Sequence, residues 1–394
     1  MAQIKKVGES RYRVRVYAGR DSKGRRRYPC KTITGSRRQA ERYARDLETK
    51  RDMGALIGES KMTLDEYLKQ WLKTQAHEVR LVTLDHYQRM IDHHIAPKLG
   101  HKPLSKLYPY EIQEFYVALM ESGLGAGTVR NIHATLGKAL KRAVRLRLLV
   151  SNPVRDVDPP SYKPSETQSL TPEEAARFLE AAKGDEHYLL FKLALHTGLR
   201  PEEYLGLKWQ HVQLDYKDEK GVMRGLLRVR QTVVVNTNGN GWYWSTPKTR
   251  KGLRDVFFPH DLAQELKSHR ARQNELKLKL GRHYQDNDLV FTTRTGAPHR
   301  RINVSRRHFK PILKKAEIPE RRLYCLRHSY ATLSLVAGVD PKVVSEQMGH
   351  ASIAFTLGVY HHVMAGMRET GADKLEKLIS GTLQAQRAAS NVSK

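Results

Sequence analysis

The chain has 394 residues, of which 39% are hydrophobic, and this balance excludes a disordered basic chain and predicts two or three folded domains. Its 70 lysines and arginines against 41 aspartates and glutamates give a net charge of +29, so we expect a polyanionic partner. On charge alone, an unrelated basic protein such as a ribosomal protein remains the alternative.

The cysteines and the N-terminus indicate the compartment. Cys30 and Cys325 stand far apart in the sequence and match neither a disulfide framework nor a metal-binding spacing, so a reducing environment is expected. Residues 1–6 lack the apolar core of a secretion signal, and no apolar run reaches the length of a membrane span. We therefore expect a cytoplasmic protein with no membrane partner.

Residues 1–58 are strongly basic and have the pattern of a small sheet backed by a helix. Residues 11–17 alternate with period two, which predicts a strand. A turn at 21–24 predicts that the next segment pairs back as a hairpin, and Ser36 with Gln39 resembles a capping box opening a helix. A basic sheet face suits the grooves of DNA, with a merely solvated face as the alternative. The candidate contact residues are Arg11, Arg13, Arg15 and Arg26.

Residues 62–150 show helical periodicity in four segments. Thr63 with Glu66 resembles a capping box for the first segment, and Pro97 is expected to close the second. The leucines and aromatic residues of these helices are interpreted as core. The four predicted segments are 64–72, 83–95, 109–121 and 128–149. The charged face of the last one offers three further contact candidates, namely Lys138, Lys141 and Arg142.

Residues 151–169 hold four prolines and no periodic pattern, which predicts a linker. Beyond it, Thr171 and Pro172 are expected to open a helix, and an apolar helical run stops at Gly198. Arg200 then falls at a corner where a new helix can start. Strands are predicted at 226–235, 242–244 and 254–258, forming a small antiparallel sheet that carries Lys248 on a tight loop. A long basic helix at 262–280 follows, and the rest of the chain to 363 is expected to be helical, with an amphipathic tail at 372–383 as a partner-docking candidate.

Three residues in separate blocks near the C-terminus can form one anion-binding site: Arg327, His350 and Tyr360. A guanidinium binds two phosphate oxygens at once. An imidazole adds a hydrogen bond, and a phenol hydroxyl can attack phosphorus once nearby cations lower the cost of ionising it.

These blocks, LRHSYAT, MGHAS and TLGVYHHV, resemble the tyrosine recombinases, the phage-integrase family of site-specific DNA strand exchangers. The family's middle block, an arginine followed three residues later by an acid, is similar to 197–203, with Glu203 as the acid. Its lysine on a β-hairpin is similar to Lys248. The resemblance extends from about residue 10 to about residue 380.

The resemblance implies a division of labour at one DNA phosphate. Tyr360 would form a 3′-phosphotyrosyl link, while Arg200 and Arg327 clamp the phosphate oxygens and His350 donates a further hydrogen bond. Lys248 would protonate the leaving 5′-oxygen. Glu203 would hold the arginines in place. Such a link keeps the energy of the broken bond, so no cofactor or metal is expected, and neither a nucleotide-binding loop nor a zinc spacing occurs in the sequence.

Two residues near the second arginine are supporting candidates. The family usually has a histidine where this chain has Tyr324, and a phenol can donate to a phosphate oxygen but is a poor base at neutral pH. Activity is expected to survive this change, with Tyr360 rather than Tyr324 as the attacking group. His328 is expected to support the fold.

The resemblance also implies a domain order and partners. We expect a multidomain chain with a small β3-α N-terminal module, an all-α core-binding domain and a mixed, mainly α catalytic domain with a small antiparallel sheet. The boundaries are 1–58 for an arm-type DNA-binding module, 62–150 for the core-binding domain, 151–169 for the linker, 170–380 for the catalytic domain and 381–394 for the tail. The expected partners are double-stranded DNA with core-type and arm-type sites, three further copies in a homotetramer, an excision factor and a host DNA-bending protein, in a nucleoid-associated setting.

Three alternatives stay open from the sequence. A resolvase of the same family usually lacks the N-terminal basic module, and a type IB topoisomerase shares the chemistry but needs no arm-binding domain. A catalytically impaired DNA-binding regulator would be favoured if Tyr324 silences the site.

Overall fold

The computed structural model describes residues 2–17, 26, 28–52, 62–163, 168–235, 241–247, 250–350, 357 and 380. The chain divides into two compact units, residues 1–164 and 165–394. The finer five-part division expected from the sequence stays a prediction.

The first unit begins with a three-stranded antiparallel sheet covered by one helix. Strands β1 (Gln3–Gly8), β2 (Arg11–Arg15) and β3 (Cys30–Thr34) lie in chain order, and α1 (Arg37–Asp52) packs against them. The buried face of β2 joins alanines and a leucine of α1 in a small core, as the alternation predicts. Ser36 and Gln39 form the predicted reciprocal cap, with bonds of 2.8 and 3.3 Å. The β3-α module is thus confirmed, whereas the predicted turn at 21–24 lies outside the described residues.

The rest of the first unit is helical. It consists of α2 (Leu64–Gln75), α3 (Leu81–Met90), a π-helical turn (Ile91–Ile95), α4 (Ala96–Leu99), α5 (Pro109–Glu121) and α6 (Ala126–Arg145). Their apolar faces meet in one core. Thr63 and Glu66 cap α2 reciprocally at 3.2 and 2.9 Å, as predicted.

Three predictions for this unit are wrong in detail. Pro97 does not close the second helix: in the π-helical turn the Ala96 N–H already bonds to the Ile91 carbonyl, five residues back, so the bonding pattern shifts before the proline and the helix continues to Leu99. Helix α6 ends at Arg145, because Arg147 turns to a φ of 58°. The start of the predicted linker is also ordered, since Pro153–Asp156 form a 3₁₀ turn and Val154 is buried in the core.

The second unit wraps helices around two small sheets. Its first half contains α7 (Pro172–Ala182), α8 (Tyr188–Thr197), α9 (Pro201–Leu205), β4 (Val212–Lys217), β5 (Met223–Val229), β6 (Thr232–Val235), β7 (Trp242–Ser245) and β8 (Arg254–Pro259). Its second half contains α10 (His260–Leu280), α11 (Arg301–Asn303), a π-helical segment (Val304–Phe309), α12 (Lys310–Lys315), α13 (Cys325–Val336) and α14 (Pro341–Met348).

The predicted single sheet is two sheets. Strands β4, β5 and β8 form one antiparallel sheet, and β6 pairs with β7 in another. The predicted strand 226–235 is wrong because the chain changes sheet at Arg230, whose guanidinium binds the Asp255 carboxylate at 2.8 Å. The helical prediction up to 363 is wrong for 284–300, where Thr292 bridges to Pro298 instead. Residues 372–383 lie outside the description except for residue 380.

The helix-rich multidomain fold class is confirmed. Across the described ranges, every helix is too short or too polar to cross a lipid bilayer. Cys30 is exposed and Cys325 is buried, and both are free thiols.

Candidate active site

Arg200 lies on a corner that the local sequence fixes. Helix α8 ends at Gly198 with a φ of 60°, and a Cβ there would lie 2.3 Å from the Tyr330 ring, so only glycine fits. Two residues later Arg200 caps α9, where Pro201 occupies the first turn. The Glu203 carboxylate accepts bonds from the Arg200 backbone N–H at 2.9 Å and from its Nη1 at 2.8 Å.

Glu203 is buried between two arginines. Besides Arg200, the Arg254 guanidinium donates to both of its carboxylate oxygens, at 3.1 Å from Nη1 and 2.9 Å from Nη2. Two parallel bonds of this kind are the strongest form of arginine–carboxylate pair. Arg254 is not among the site residues predicted from the sequence. A signal existed: it shares the inward face of β8 with Val256 and Phe258, and a charge on a buried face requires a partner.

Three arginines bind three consecutive backbone carbonyls at the end of α14. Arg254 Nε donates to the Gln347 carbonyl, Arg327 Nη2 to the Met348 carbonyl at 2.6 Å, and Arg200 Nη2 to the Gly349 carbonyl at 3.4 Å. The last carbonyls of a helix lack partners within the helix and carry its negative dipole end, which favours these cations. The arginines come from α9, β8 and α13, so the carbonyl triplet ties three elements together.

The position of His350 is determined by the turn at Gly349, the last of the three residues whose carbonyls the arginines bind. Gly349 ends α14 with a φ of 66°, and a Cβ there would lie 2.8 Å from the Lys251 carbonyl oxygen. The His350 N–H then returns to the Ser345 carbonyl at 3.0 Å. His350 thus follows directly after the residues that the arginines bind.

Arg327 and Arg200 differ in exposure. Arg327 is 1% exposed, and its Nη1 donates to the Gly198 carbonyl at 2.6 Å. The Arg200 side chain is 34% exposed. Both guanidinium groups are hydrogen-bonded within the cluster, but only Arg200 is accessible to a phosphate from solvent.

The charges in the cluster do not balance, because one carboxylate faces three guanidinium groups. Burial, followed by repulsion from Arg200, lowers the pKa of Arg327 to about 10. Burial alone would raise the pKa of Glu203, but hydrogen bonds and charge from Arg254 and Arg200 outweigh it and hold that pKa below its usual value. Burial also opposes the charge of Arg200, yet the Glu203 carboxylate raises its pKa overall. The cluster therefore carries net positive charge and can bind an anion.

The two histidines are neutral at physiological pH. Burial, then the charges of Arg327 and Arg200, lower the pKa of His350 to about 4. Burial and Arg327 likewise lower the pKa of His328 to about 4. Exposed Tyr324 caps α13 beside them: its ring centroid lies 5.1 Å from that of His328, and its hydroxyl interacts with the Arg200 guanidinium.

The structure brings together six of the eight catalytic and supporting candidates, namely Arg200, Glu203, Tyr324, Arg327, His328 and His350. Lys248 and Tyr360 lie outside the described residues.

The candidate DNA-contact residues all belong to the first unit. Arg11, Arg13 and Arg15 are exposed along one face of β2, and Arg26 is also exposed. On α6, Lys138 and Lys141 are exposed, and Lys138 Nζ donates to the Tyr87 hydroxyl at 2.8 Å. Arg142 lies 3.7 Å from the Glu78 carboxylate.

The arginine cluster, held by one buried carboxylate in a helical unit with small sheets, is typical of proteins that bind an oxyanion such as a phosphodiester. The profile of the Phage integrase family matches residues 168–366, and that of the Phage integrase, N-terminal SAM-like domain matches residues 63–120. A tyrosine recombinase XerC-like protein of Caldanaerobacter subterraneus subsp. tengcongensis is 30% identical, over 95% of this chain and 97% of its own length.

Two solved structures share the fold. The Tn1549 transposon integrase in complex with a circular intermediate DNA has a TM-score of 0.63 and 22% identity, covering 80% of this chain and 99% of that one. A lambda integrase tetramer bound to a Holliday junction has a TM-score of 0.54 and 18% identity, covering 90% and 94%. The chain belongs to the phage integrase family, the tyrosine recombinases that break and rejoin DNA at specific sites. The family, the fold class and the enzyme class expected from the sequence are thus confirmed.

Proposed function

We propose that this recombinase integrates and excises a mobile DNA element, with Tyr360 as its nucleophile. The observation that carries this proposal is the arginine cluster around Glu203, which leads directly into His350, ten positions before Tyr360 in the sequence. The structural relative from a transposon was solved with a circular intermediate DNA, which favours an element that leaves and re-enters a chromosome.

The proposed reaction conserves bonds in two transfers. The Tyr360 phenol loses its proton to solvent, and its oxygen attacks phosphorus as the bond from phosphorus to the 5′-oxygen breaks. Lys248 gives a proton to that 5′-oxygen. A 5′-hydroxyl of the partner strand then attacks the phosphotyrosine, which restores a phosphodiester and the phenol. No nucleotide hydrolysis is needed, because the link stores the energy of the original bond.

Arg200 and Arg327, which the sequence predicts as equivalent phosphate clamps, have different roles in this proposal. Arg200 contacts the phosphate oxygens directly, since its guanidinium is the accessible one. Arg327 contributes positive potential and holds the Gly198 corner against the end of α14. A direct bidentate clamp by Arg327 would require the phosphate to reach a side chain that is only 1% exposed. His350, as a neutral imidazole, donates one N–H to the same phosphate, and Tyr324 adds a hydroxyl beside Arg200.

The wider assembly is part of the same proposal. The exposed arginines of β2 would bind arm-type DNA, and α6 would contact the core-type site through its basic face. Four copies would act together on two duplexes in the nucleoid, as in the tetramer known for lambda integrase. An excision factor and a host DNA-bending protein would set the direction of the reaction.

A nicked suicide substrate tests the proposal. Duplex DNA from the junction flanking the gene is nicked a few nucleotides 3′ of the scissile phosphate. Cleavage then releases a short fragment with a free 5′-hydroxyl, and its diffusion away prevents rejoining and traps the covalent adduct. We expect an adduct on a denaturing gel with the natural protein and with Tyr110→Phe, an exposed tyrosine on α5, but not with Tyr360→Phe.

The contrary outcomes are distinct. No adduct with the natural protein would favour the catalytically impaired DNA-binding regulator. An adduct that persists in Tyr360→Phe and disappears in Tyr324→Phe would make Tyr324 the nucleophile.

A further inference from the structure

Histidines and acidic residues gather at the start of α8, the end opposite the Arg200 corner and about 15 Å from it by the rise of the helix. The His187 ring centroid lies 3.9 Å from that of His308 and 4.6 Å from that of His299. His308 Nδ1 lies 3.1 Å from an oxygen of Asp185. None of these residues takes part in the recombination chemistry proposed above.

His187 has an unmet need for a partner. It is 3% exposed, and within the described part of the chain neither of its ring nitrogens has a hydrogen-bond partner. The Asp185 carboxylate lies 3.6 Å from Nδ1, too far for a hydrogen bond, and instead accepts from the His187 backbone N–H at 2.7 Å. Leaving a buried polar group without a hydrogen bond destabilises the folded state, so such groups are rare without a ligand or water.

The side-chain nitrogen and oxygen atoms of this cluster lie slightly farther apart than the ligand atoms around a bound metal ion. One ligand atom from each of Asp185, His187 and His308 lies within 4.8 Å of the others. Tetrahedral zinc, with bonds of about 2.0–2.1 Å to such ligands, holds its donors roughly 3.4 Å apart. Side-chain shifts on the order of 1 Å would therefore close the set around an ion.

Glu186 lies beside these three residues on the side that is open to solvent, but it faces the other ring nitrogen of His308 from the one that Asp185 faces. Its Oε1 lies 3.7 Å from His308 Nε2 and 3.8 Å from His187 Nδ1. The Glu186 side chain is 59% exposed, so the cluster is open to water on this side. His299 is a weaker candidate because its ring already bonds to the Thr292 backbone.

We propose that Asp185, His187 and His308 bind one divalent transition-metal ion, with zinc as the best match, and that the exposed Glu186 side chain turns to complete the set as the fourth ligand. Imidazole and carboxylate donors suit zinc, and a set of four protein ligands leaves no position for substrate, which is typical of a structural site. The ion would tie the turn before α8 to the π-helical segment that carries His308. Helix α8 packs against α13 and leads to Gly198 and Arg200, so the ion would stiffen the support of the arginine cluster.

Metal uptake by the full-length protein tests the proposal. After chelator treatment and exchange into metal-free buffer, the protein is titrated with zinc chloride in competition with a chromogenic chelator, and cobalt(II) is added separately to record visible absorption from a tetrahedral site. We expect one high-affinity zinc per chain and a rise in Tm on addition of zinc. The variant His308→Asn should bind at least about tenfold more weakly. The control His283→Asn, at an exposed histidine after α10, should behave as the natural protein does.

The proposal is overturned if the natural protein takes up no stoichiometric zinc, or if His308→Asn binds it as tightly as His283→Asn. If circular dichroism shows that His308→Asn is misfolded, Asp185→Asn replaces it, and the same tenfold comparison decides. No measurement here involves DNA cleavage, so failure leaves the recombinase assignment untouched.

Discussion

The two ends of α8 bury polar groups in opposite ways. At its C-terminal end, beyond Gly198, the charges of Arg200, Arg254 and Arg327 meet a carboxylate and three backbone carbonyls. At its N-terminal end, His187 is buried as deeply but lacks partners for its ring nitrogens among the described residues. The first end is a self-contained cationic site, whereas the second leaves a buried imidazole without hydrogen-bond partners in the described part of the chain. Burial alone therefore does not identify a binding site; the state of the hydrogen bonds does.

The largest expected effect tests whether the arginine end is self-contained. Glu203→Gln would leave Arg254 buried without a counter-charge, and breaking such a pair costs about 3–5 kcal/mol. We expect a loss of that size in the free energy of unfolding from urea denaturation, together with loss of covalent adduct.

The neighbouring acid is the matched control. Glu202 pairs with Arg301 at 2.9 Å on the surface, and Glu202→Gln should cost less than about 1 kcal/mol. Equal losses in the two variants would show that the buried network does not stabilise the unit.

A smaller effect tests the corner between α8 and Arg200. Gly198→Ala adds a Cβ at 2.3 Å from the Tyr330 ring as well as backbone strain, whereas Gly184→Ala, at a φ of 88°, meets nothing within 4 Å. Strain alone costs roughly 1–2 kcal/mol, and overpacking adds about 1–3 kcal/mol. The free energy of unfolding should therefore fall by the larger amount only at Gly198, and matching values would contradict the close contact with Tyr330.

The smallest effect is the pH dependence of stability that His328 contributes. Its pKa of about 4 in the folded protein lies below the unfolded value of 6.5, so the unfolded chain takes up the proton first as the pH falls. Stability from this group is present above pH 6.5 and is lost between there and about pH 4, with a slope of at most about 1.4 kcal/mol per pH unit. In His328→Gln, denaturation measured across this range should show a shallower slope than in the natural protein. An unchanged slope would show that His328 is not a neutral buried group.

Local patterns predicted much of the fold and part of the site. The reciprocal caps at Ser36, Thr63 and Thr171 depend on side chains three residues apart, so the sequence alone locates them. The pairing of Arg200 with Glu203 is local in the same way. Partnerships across long sequence distances were missed, because periodicity carries no information about them. Arg254 meets Glu203 across 51 positions, and His308 meets Asp185 across 123.

The prediction of one strand over 226–235 is wrong because one long strand and two shorter strands have the same hydrophobic pattern here. The run 226–235 is hydrophobic on either side of Arg230, so it reads as one strand although β5 and β6 belong to different sheets. The break depends on the partner strands β8 and β7, which come later in the chain. The helix through Pro97 was missed for a related reason, since a π-helical turn leaves no periodic signal in five residues.

The pair of hydrogen bonds between Glu203 and Arg254 also limits how the sequences of related proteins can diverge. Arg254 binds the Gln347 carbonyl, which any residue at that position would provide, whereas among the described residues Glu203 is the carboxylate that pairs with it. A lineage that loses Glu203 first leaves Arg254 buried without this counter-charge, whereas one that loses Arg254 first leaves Glu203 paired with Arg200. Loss of the acid should therefore accompany or follow loss of Arg254. Coordinated changes at positions 203 and 254 in related sequences would identify the arginine cluster even where the surrounding sequence blocks are no longer recognisable.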